Sequence, residues 1–157
     1  VEWIAEAFET TGVASTITKW RVDDTNPNGA GSTDLHLANA SGAATADELA
    51  LVDAYEQARR SVGSGPLRVL AASTLAVPFT ATLYRIGSSS TLATDAATLI
   101  DVLEALAPMG GTLYGDDITK ALRSLSEVYH VEHSLEGVTT VAGTNEVIVL
   151  TPTFTVV

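Results

Sequence analysis

Hydrophobic residues recur every three or four positions in some stretches of this chain, as in a helix, and at every second position in others, as in a strand. In the first half, the pattern predicts a helix over residues 1–9 and a hairpin of two strands, 17–23 and 33–38, around a turn-rich loop. A second helix over 45–60 and a further strand over 67–71 follow. Thr45 and Glu48 stand three residues apart where the second helix begins, and this T-x-x-E spacing is typical of a capping box. The first half is therefore predicted to run α-β-β-α-β.

The second half is predicted to run β-α-α-β-β. Its strands are expected over residues 79–86, 128–135 and 145–157, the last as one strand or a strand pair, and its helices over 94–107 and from Asp116 or Asp117 onward. The two aspartates suit the positive end of a helix dipole. Residues 72–78 are expected to join the two halves.

Two helices against one face of a small sheet bury the apolar side of every element in such a series. The sequence therefore predicts an α+β fold of two small subdomains, residues 1–73 and 74–157, each a mostly antiparallel sheet with helices packed on one face. The first subdomain lacks an opening strand, and the chain opens on Val1 without a methionine. We therefore expect that a further segment precedes Val1 in a longer protein.

The balance of charged residues limits the classes of partner. Lys and Arg total 8 against 19 Asp and Glu, which gives a net charge of −11 at pH 7. Nucleic acids and anionic membranes require a concentrated basic surface, so neither is a predicted partner. The chain has no cysteine, which excludes disulfides and thiol chemistry. Its apolar runs are all shorter than the roughly 18–20 residues that span a bilayer, so no membrane insertion is predicted.

Apolar residues make up 46% of the chain, and the mean hydropathy is +0.24. A domain this small cannot bury so much apolar surface, so part of it is expected to contact a partner protein. Trp3, Phe8 and Trp20 are candidate interface residues because tryptophan is enriched at interfaces, with core packing as the other interpretation. Arg59 and Arg60 are candidates too, although they also suit the negative end of their helix.

His130 and His133 are the residues that most suggest a metal site. On a strand, residues i and i+3 point to opposite faces, so the two rings could not bind one ion. On a helix they could, with Glu127 or Glu132 nearby. The strand pattern over 128–135 favours two ordinary histidines, and no metal site is predicted.

The remaining candidate motifs also favour structural roles. Adjacent carboxylates at Asp23–Asp24 and Asp116–Asp117 do not converge on one substrate, and turn formation and helix initiation explain them. The glycine-rich segments 29–32 and 63–66 lack the spacing of a dinucleotide or phosphate loop. The sequence thus predicts no catalytic residues and no cofactor, and a protein that is not an enzyme.

Two segments are specific enough to suggest a family. The pattern G-G-x-x-x-x-x-D-I-x-x-A-L runs from Gly110 to Leu122, and N-E-V occupies residues 145–147. Three further segments precede them in the chain, in this order. The first is ITKWRVDD with a Pro/Gly-rich loop into STDLHLA, the second is a helix that ends in R-R, and the third is a strand that opens with V-P-x-T-x-T. This order resembles the later portion of the baseplate J-like wedge proteins of contractile phage tails and related injection particles, a family that includes the Mu-type baseplate protein.

The resemblance implies a structural protein in the baseplate of a virion or phage-tail-like particle, assembled in the bacterial cytoplasm. Such a wedge subunit would contact copies of itself and other baseplate proteins, and would change its packing when the sheath contracts. This chain departs from the family at two places. Residues 125–128 replace a Pro-Gly-Val turn, and Ile148 and Thr151 stand where the family ending N-E-V-P-x-L-G has Pro and Gly.

Two other functions remain open from the residues alone. Paired α+β units often bind small molecules between them, so a ligand-binding regulatory module is the main alternative. A hydrolase that uses His130 and His133 with Asp116 or Glu132 is the third possibility.

Overall fold

The computed structural model describes residues 2–13, 15–60, 65–88 and 90–157, apart from the side chains of Glu2, Trp3 and Ala5. The chain divides into two compact units, Val1–Thr74 with Asn145–Val147, and Leu75–Thr144 with Ile148–Val157. The sequence-based division fell after residue 73 and did not include the return of residues 145–147 to the first unit. Both units combine helices with sheets, so the predicted α+β class is confirmed.

The first unit is built around a central strand. Its elements are α1 (Glu2–Thr11), β1 (Ile17–Asp23), β2 (Thr33–Asn39), β3 (Gly42–Ala43), α2 (Ala46–Arg59) and β4 (Leu67–Ala71). One edge of β2 pairs antiparallel with β1, and the other pairs with β4 and then with β3. The β2–β4 pairing is parallel, which requires a crossover connection, and α2 supplies it.

Both helices of this unit contribute to one apolar core. Ile4 and Phe8 of α1 and Val52 of α2 are buried with Leu35 and Leu37 of β2. Since alternate residues of a strand share a face, the two leucines mark the side of β2 that the helices cover. The core therefore lies between the helices and the sheet.

The predicted capping box at the start of α2 is confirmed. The Thr45 hydroxyl accepts from the Glu48 backbone N–H at 3.3 Å, and a Glu48 carboxylate oxygen accepts from the Thr45 N–H at 2.7 Å. The same oxygen accepts from the Asn39 amide at 3.1 Å, which connects the helix to the end of β2. These hydrogen bonds, the one from the Thr45 N–H above all, lower the pKa of Glu48 from 4.5 to about 2.

Glu48→Ala should lower the free energy of unfolding of the first unit by about 1–2 kcal/mol at pH 7, the usual cost of losing a helix cap. Because the folded pKa lies below the unfolded one, this contribution is complete above pH 4.5 and is lost as the pH falls through about 2. Urea denaturation followed by tryptophan fluorescence measures it, since Trp3 and Trp20 both belong to the first unit. Asp47→Ala, which removes an exposed carboxylate of the same turn, is the control and should cost under about 0.5 kcal/mol. Equal effects of the two variants would contradict the prediction.

The second unit contains the remaining elements, except that residues 73–74 of β5 and 146–147 of β9 belong to the first unit. They are β5 (Ser73–Arg85), α3 (Leu92–Leu106), β6 (Thr112–Tyr114), α4 (Gly115–Arg123), β7 (Val128–His133), β8 (Thr139–Val141) and β9 (Glu146–Val156). β5 is the middle strand of a three-stranded sheet, between β7 and β9, and β6 pairs antiparallel with β8.

Several predicted boundaries in this half were wrong. Residues 73–78 are the start of β5 and not a connection between the two halves. The last element, predicted as one strand or a strand pair, is a single strand. Leu106, the last residue of α3, is 76% exposed, because the helix buries Leu92, Ala96 and Ile100. The short strands β6 and β8 were not predicted at all.

Gly115, the first residue of α4, is in close contact with the loop that follows β7. Its N–H donates to the carbonyl oxygen of Val138 at 2.9 Å. A Cβ atom at this position would overlap the carbonyl oxygen of Leu135. This part of the unit therefore requires a residue without a side chain.

Candidate functional site

The two histidines of β7 lie in different surroundings, as the strand prediction required. His133 is only 9% exposed and contacts Phe79 edge to face, with 6.4 Å between ring centroids. The side chain of His130 is 45% exposed. Among the described residues, no three histidine, cysteine or acidic side chains are grouped closely enough to hold a metal ion.

Both ring nitrogens of His133 are engaged. Nδ1 accepts from the backbone N–H of Leu135 at 3.2 Å, so the neutral ring carries its proton on Nε2. Nε2 then donates to the Thr119 hydroxyl at 2.7 Å, which lies 3.4 Å from the carbonyl oxygen of Gly115. The ring thus connects α4 to the loop after β7, and this is a structural role.

Burial lowers the pKa of His133 below its ordinary 6.5. The negative charges of Glu136 and Asp116 act in the opposite direction and raise it, but burial has the larger effect. A lowered folded pKa means that the unfolded chain binds the proton more readily, so stability is complete above pH 6.5 and falls as the pH drops below it. We expect the free energy of unfolding of the second unit to decrease between pH 7 and pH 5. His133→Gln should flatten this slope.

Urea denaturation at several pH values, followed through resolved NMR signals of the second unit, checks this slope. His130→Gln, which removes the exposed histidine of the same strand, is the matched control for the loss of an imidazole. A slope that survives in His133→Gln would assign the pH dependence to another group.

His130 belongs instead to a cluster on the other face of the sheet, which we call the tyrosine patch: Tyr84, Tyr129, His130 and Glu132. The ring of Tyr84 lies 5.2 Å from that of His130 and 6.2 Å from that of Tyr129, centroid to centroid. The Tyr84 hydroxyl donates to one oxygen of Glu132 at 3.1 Å, and Nε2 of His130 lies 3.2 Å from the other. One carboxylate thus holds two of the three rings.

The Glu132 carboxylate raises the pKa of Tyr84 above its usual 10, because it accepts the phenolic proton and would repel a phenolate. The hydroxyl therefore remains a donor throughout the physiological range. Tyr129 is 57% exposed, and the side chain of Glu132 is 59% exposed. The patch is therefore both accessible and held in place by hydrogen bonds.

The interface candidates from the sequence have different positions. Phe8 is buried in the first core and contacts Trp20 edge to face at 5.4 Å, while Trp20 itself is 40% exposed. The side chain of Trp3 lies outside the described residues. Arg59 donates to Glu6 of α1 at 2.8 Å, and Nη1 of Arg60 donates to the Gln57 side chain at 3.0 Å.

A cleft of about 330 Å³ lies in the first unit, lined by Glu6, Tyr55, Glu56, Arg59 and Arg60. The guanidinium of Arg59 lies 4.8 Å from the centroid of the Tyr55 ring. The Tyr55 hydroxyl and Oε1 of Glu56 are buried, and no group in the described part of the chain makes a hydrogen bond with them. Burial raises the pKa of Glu56, so its proton is retained to higher pH than in an exposed glutamate.

The adjacent carboxylates have the positions expected for structural residues. Asp23 accepts from the backbone N–H and the hydroxyl of Thr25, which is a turn contact. Asp116 and Asp117 lie in the first turn of α4, but the helix begins at Gly115 and no side chain caps it.

An ion pair that the sequence reasoning missed organises the sheet of the first unit. Asp34 is 3% exposed and lies opposite Arg68 in the parallel pairing, where the guanidinium makes two bonds to its carboxylate, at 2.9 and 2.6 Å. The Asn28 amide donates to the same carboxylate at 2.8 Å.

Gly31 and Gly65, one from each of the two glycine-rich segments, lie beside each other in this region. A Cβ atom on Gly65 would overlap the backbone of Gly31, and the Thr33 N–H donates to the carbonyl oxygen of Pro66 at 2.8 Å. These glycines therefore permit a close approach of two backbones.

No helix in the described part of the chain is both long and apolar enough to cross a membrane. A scan against protein-family models finds no match, and a search of curated proteins likewise finds none.

Proposed function

We propose that this chain is a structural assembly protein, and more narrowly a wedge subunit of a contractile-tail baseplate. The observation that supports the broader proposal is the exposed aromatic and apolar surface of the second unit. Tyr129, Val141 and Leu106 are 57%, 64% and 76% exposed, respectively. Exposed aromatic side chains such as Tyr129 are enriched at protein–protein contact sites.

The narrower proposal depends on the order of segments described above. The most specific of them, Gly110–Leu122, forms a turn, β6 and most of α4, and its Ile118 and Leu122 are buried in the core. Its residues thus serve packing, which suits a subunit that acts through its contacts. We propose copies of this chain and other baseplate proteins as its partners, in a phage-tail-like particle.

Affinity purification tests both levels. The full-length protein would be tagged in its own host, the particle induced, and the co-purifying chains identified by mass spectrometry. Recovery of sheath, tube and other baseplate chains is the expected result. Recovery of the protein alone, or with metabolic enzymes, would overturn the narrower proposal.

The cleft of the first unit favours one alternative, a small-molecule-binding regulatory module. Two buried polar atoms, the Tyr55 hydroxyl and Oε1 of Glu56, lie in residues that line it together with two arginines. A ligand that stabilises the folded chain raises its melting temperature by mass action. A rise with small amines, amino acids or carboxylates that Glu56→Gln abolishes would support this function, and no rise at millimolar concentrations would exclude it for those classes.

A further inference from the structure

We propose that the tyrosine patch is a docking surface for an arginine-bearing segment of a partner protein. This inference rests on the proposed function as an assembly subunit, and it specifies where and through what chemistry the second unit would contact its partner. Four side chains carry it: Tyr84, Tyr129, His130 and Glu132.

The first argument is that contacts within the patch already position its side chains. Glu132 holds the Tyr84 hydroxyl at 3.1 Å and His130 at 3.2 Å, and the Tyr84 ring lies between those of His130 and Tyr129. Side chains that are already ordered lose little conformational entropy on binding. Tyrosine also gives a large contact area for few rotatable bonds, which is why it is enriched at interface hot spots.

The second argument is charge. The second unit, residues 75–144 and 148–157, contains three basic and eight acidic residues, a net charge of −5. Both oxygens of Glu132 already accept one hydrogen bond, but a carboxylate offers about four acceptor sites, and this one is 59% exposed. The patch is thus an anionic group beside exposed aromatic rings.

Arginine fits this combination better than lysine does. Its planar guanidinium stacks on an aromatic face while its N–H groups reach a carboxylate, whereas the lysine ammonium is compact and strongly hydrated. Two exposed apolar residues are close to Tyr84 in the chain or in the backbone hydrogen bonding of β5. Ile86 follows Tyr84 by two residues and is 68% exposed, and Val157, hydrogen-bonded to Leu83 and Arg85, is 61% exposed. These neighbours favour a peptide segment over an isolated cation.

The experiment is an NMR titration of the full chain in 150 mM salt with a hexa-arginine peptide and, separately, with a hexa-lysine peptide. We expect the ring signals of Tyr84 and Tyr129 to shift with the arginine peptide. This peptide should bind about two- to fivefold more tightly than the lysine peptide, which is the value of one exposed cation–π contact. Tyr129→Ala should remove this preference. Tyr114→Ala is the matched control, because Tyr114 is 54% exposed in the same unit, and it should change neither affinity.

Equal affinities for the two peptides, or equal effects of Tyr129→Ala and Tyr114→Ala, would overturn the inference and leave only general attraction to an acidic surface. Retained amide dispersion shows that each variant is folded. The inference and the proposed function can also fail separately. If the arginine peptide binds at the patch but no tail proteins co-purify, the proposed function fails. If tail proteins co-purify equally with wild type and with Tyr129→Ala, the docking surface fails.

Discussion

Gly115→Ala should lower the free energy of unfolding of the second unit by about 3 kcal/mol or more, because the new methyl group would overlap a backbone atom. The atom is the carbonyl oxygen of Leu135, which belongs to the loop that also bonds to His133. A flexible side chain could move aside at little cost, but a backbone carbonyl can move only with its loop. The N–H of Gly115 donates to Val138 in the same loop, so that bond would be strained as well.

Thermal and urea unfolding, followed through resolved NMR signals of each unit, would measure the loss. Lys120→Ala is the matched control on the same helix, since its side chain is 77% exposed and its change should stay within about 0.5 kcal/mol. Signals of the first unit, to which Gly115 does not belong, serve as an internal reference. A loss below about 1 kcal/mol for Gly115→Ala would mean that the loop moves freely and that the close approach is not required.

Asp34→Ala should lower the free energy of unfolding of the first unit by about 2–3 kcal/mol at pH 7. The carboxylate is buried and accepts from both Arg68 and Asn28, and charged hydrogen bonds of this kind are each worth about 1.5–3 kcal/mol. The Arg68 side chain is 49% exposed, so it can turn to water once its partner is lost, which keeps the cost below that of a fully buried unpaired charge.

The pH dependence of this effect has a definite sign. The hydrogen bond from Arg68 lowers the pKa of Asp34 below its usual 3.8, so the stabilisation is complete above pH 3.8 and is lost as the pH falls through the folded value. Tryptophan fluorescence in urea at pH 7 and pH 3 should show the difference between wild type and Asp34→Ala shrink. Asp24→Ala removes an exposed carboxylate near the same loop and should have little effect. An equal loss in both variants would show that general charge, and not this ion pair, stabilises the sheet.

The elements that were predicted correctly are those whose signals lie within a few residues. The capping box depends on Thr45 and Glu48 alone. The signals that predict the strands over residues 17–23 and 67–71 likewise lie within each strand. The start of β5 was missed because Pro78 resembles a strand breaker. Pairing of β5 with β7 begins only at Ala81. The edge of β5 that faces β7 therefore requires no amide donor at Pro78.

The candidate sites depend on pairings that no local pattern encodes. Asp34 occupies a polar position of an alternating strand, and alternation alone predicts that it faces water; only the register of β2 with β4 brings Arg68 opposite it. The tyrosine patch likewise arises because β7 and β5 align Tyr84 with His130. His130 and His133 were separated correctly because the two-residue period of a strand is a local property, but their different surroundings were not predictable.

The parallel pairing of β2 with β4 also sets an order of events during synthesis. β1 and β2 can form their hairpin as soon as Asn39 is available. The other edge of β2 stays open over residues 33–37 until β4 has been made, because each residue of β4 lies 34 residues after its partner in β2. An open strand edge in a nascent chain can pair with a neighbouring chain and aggregate. The speed at which α2 forms and brings β4 back therefore governs the exposure time of that edge. Through its cap, Glu48 would then influence the yield of folded protein in the cell as well as the stability of the finished fold.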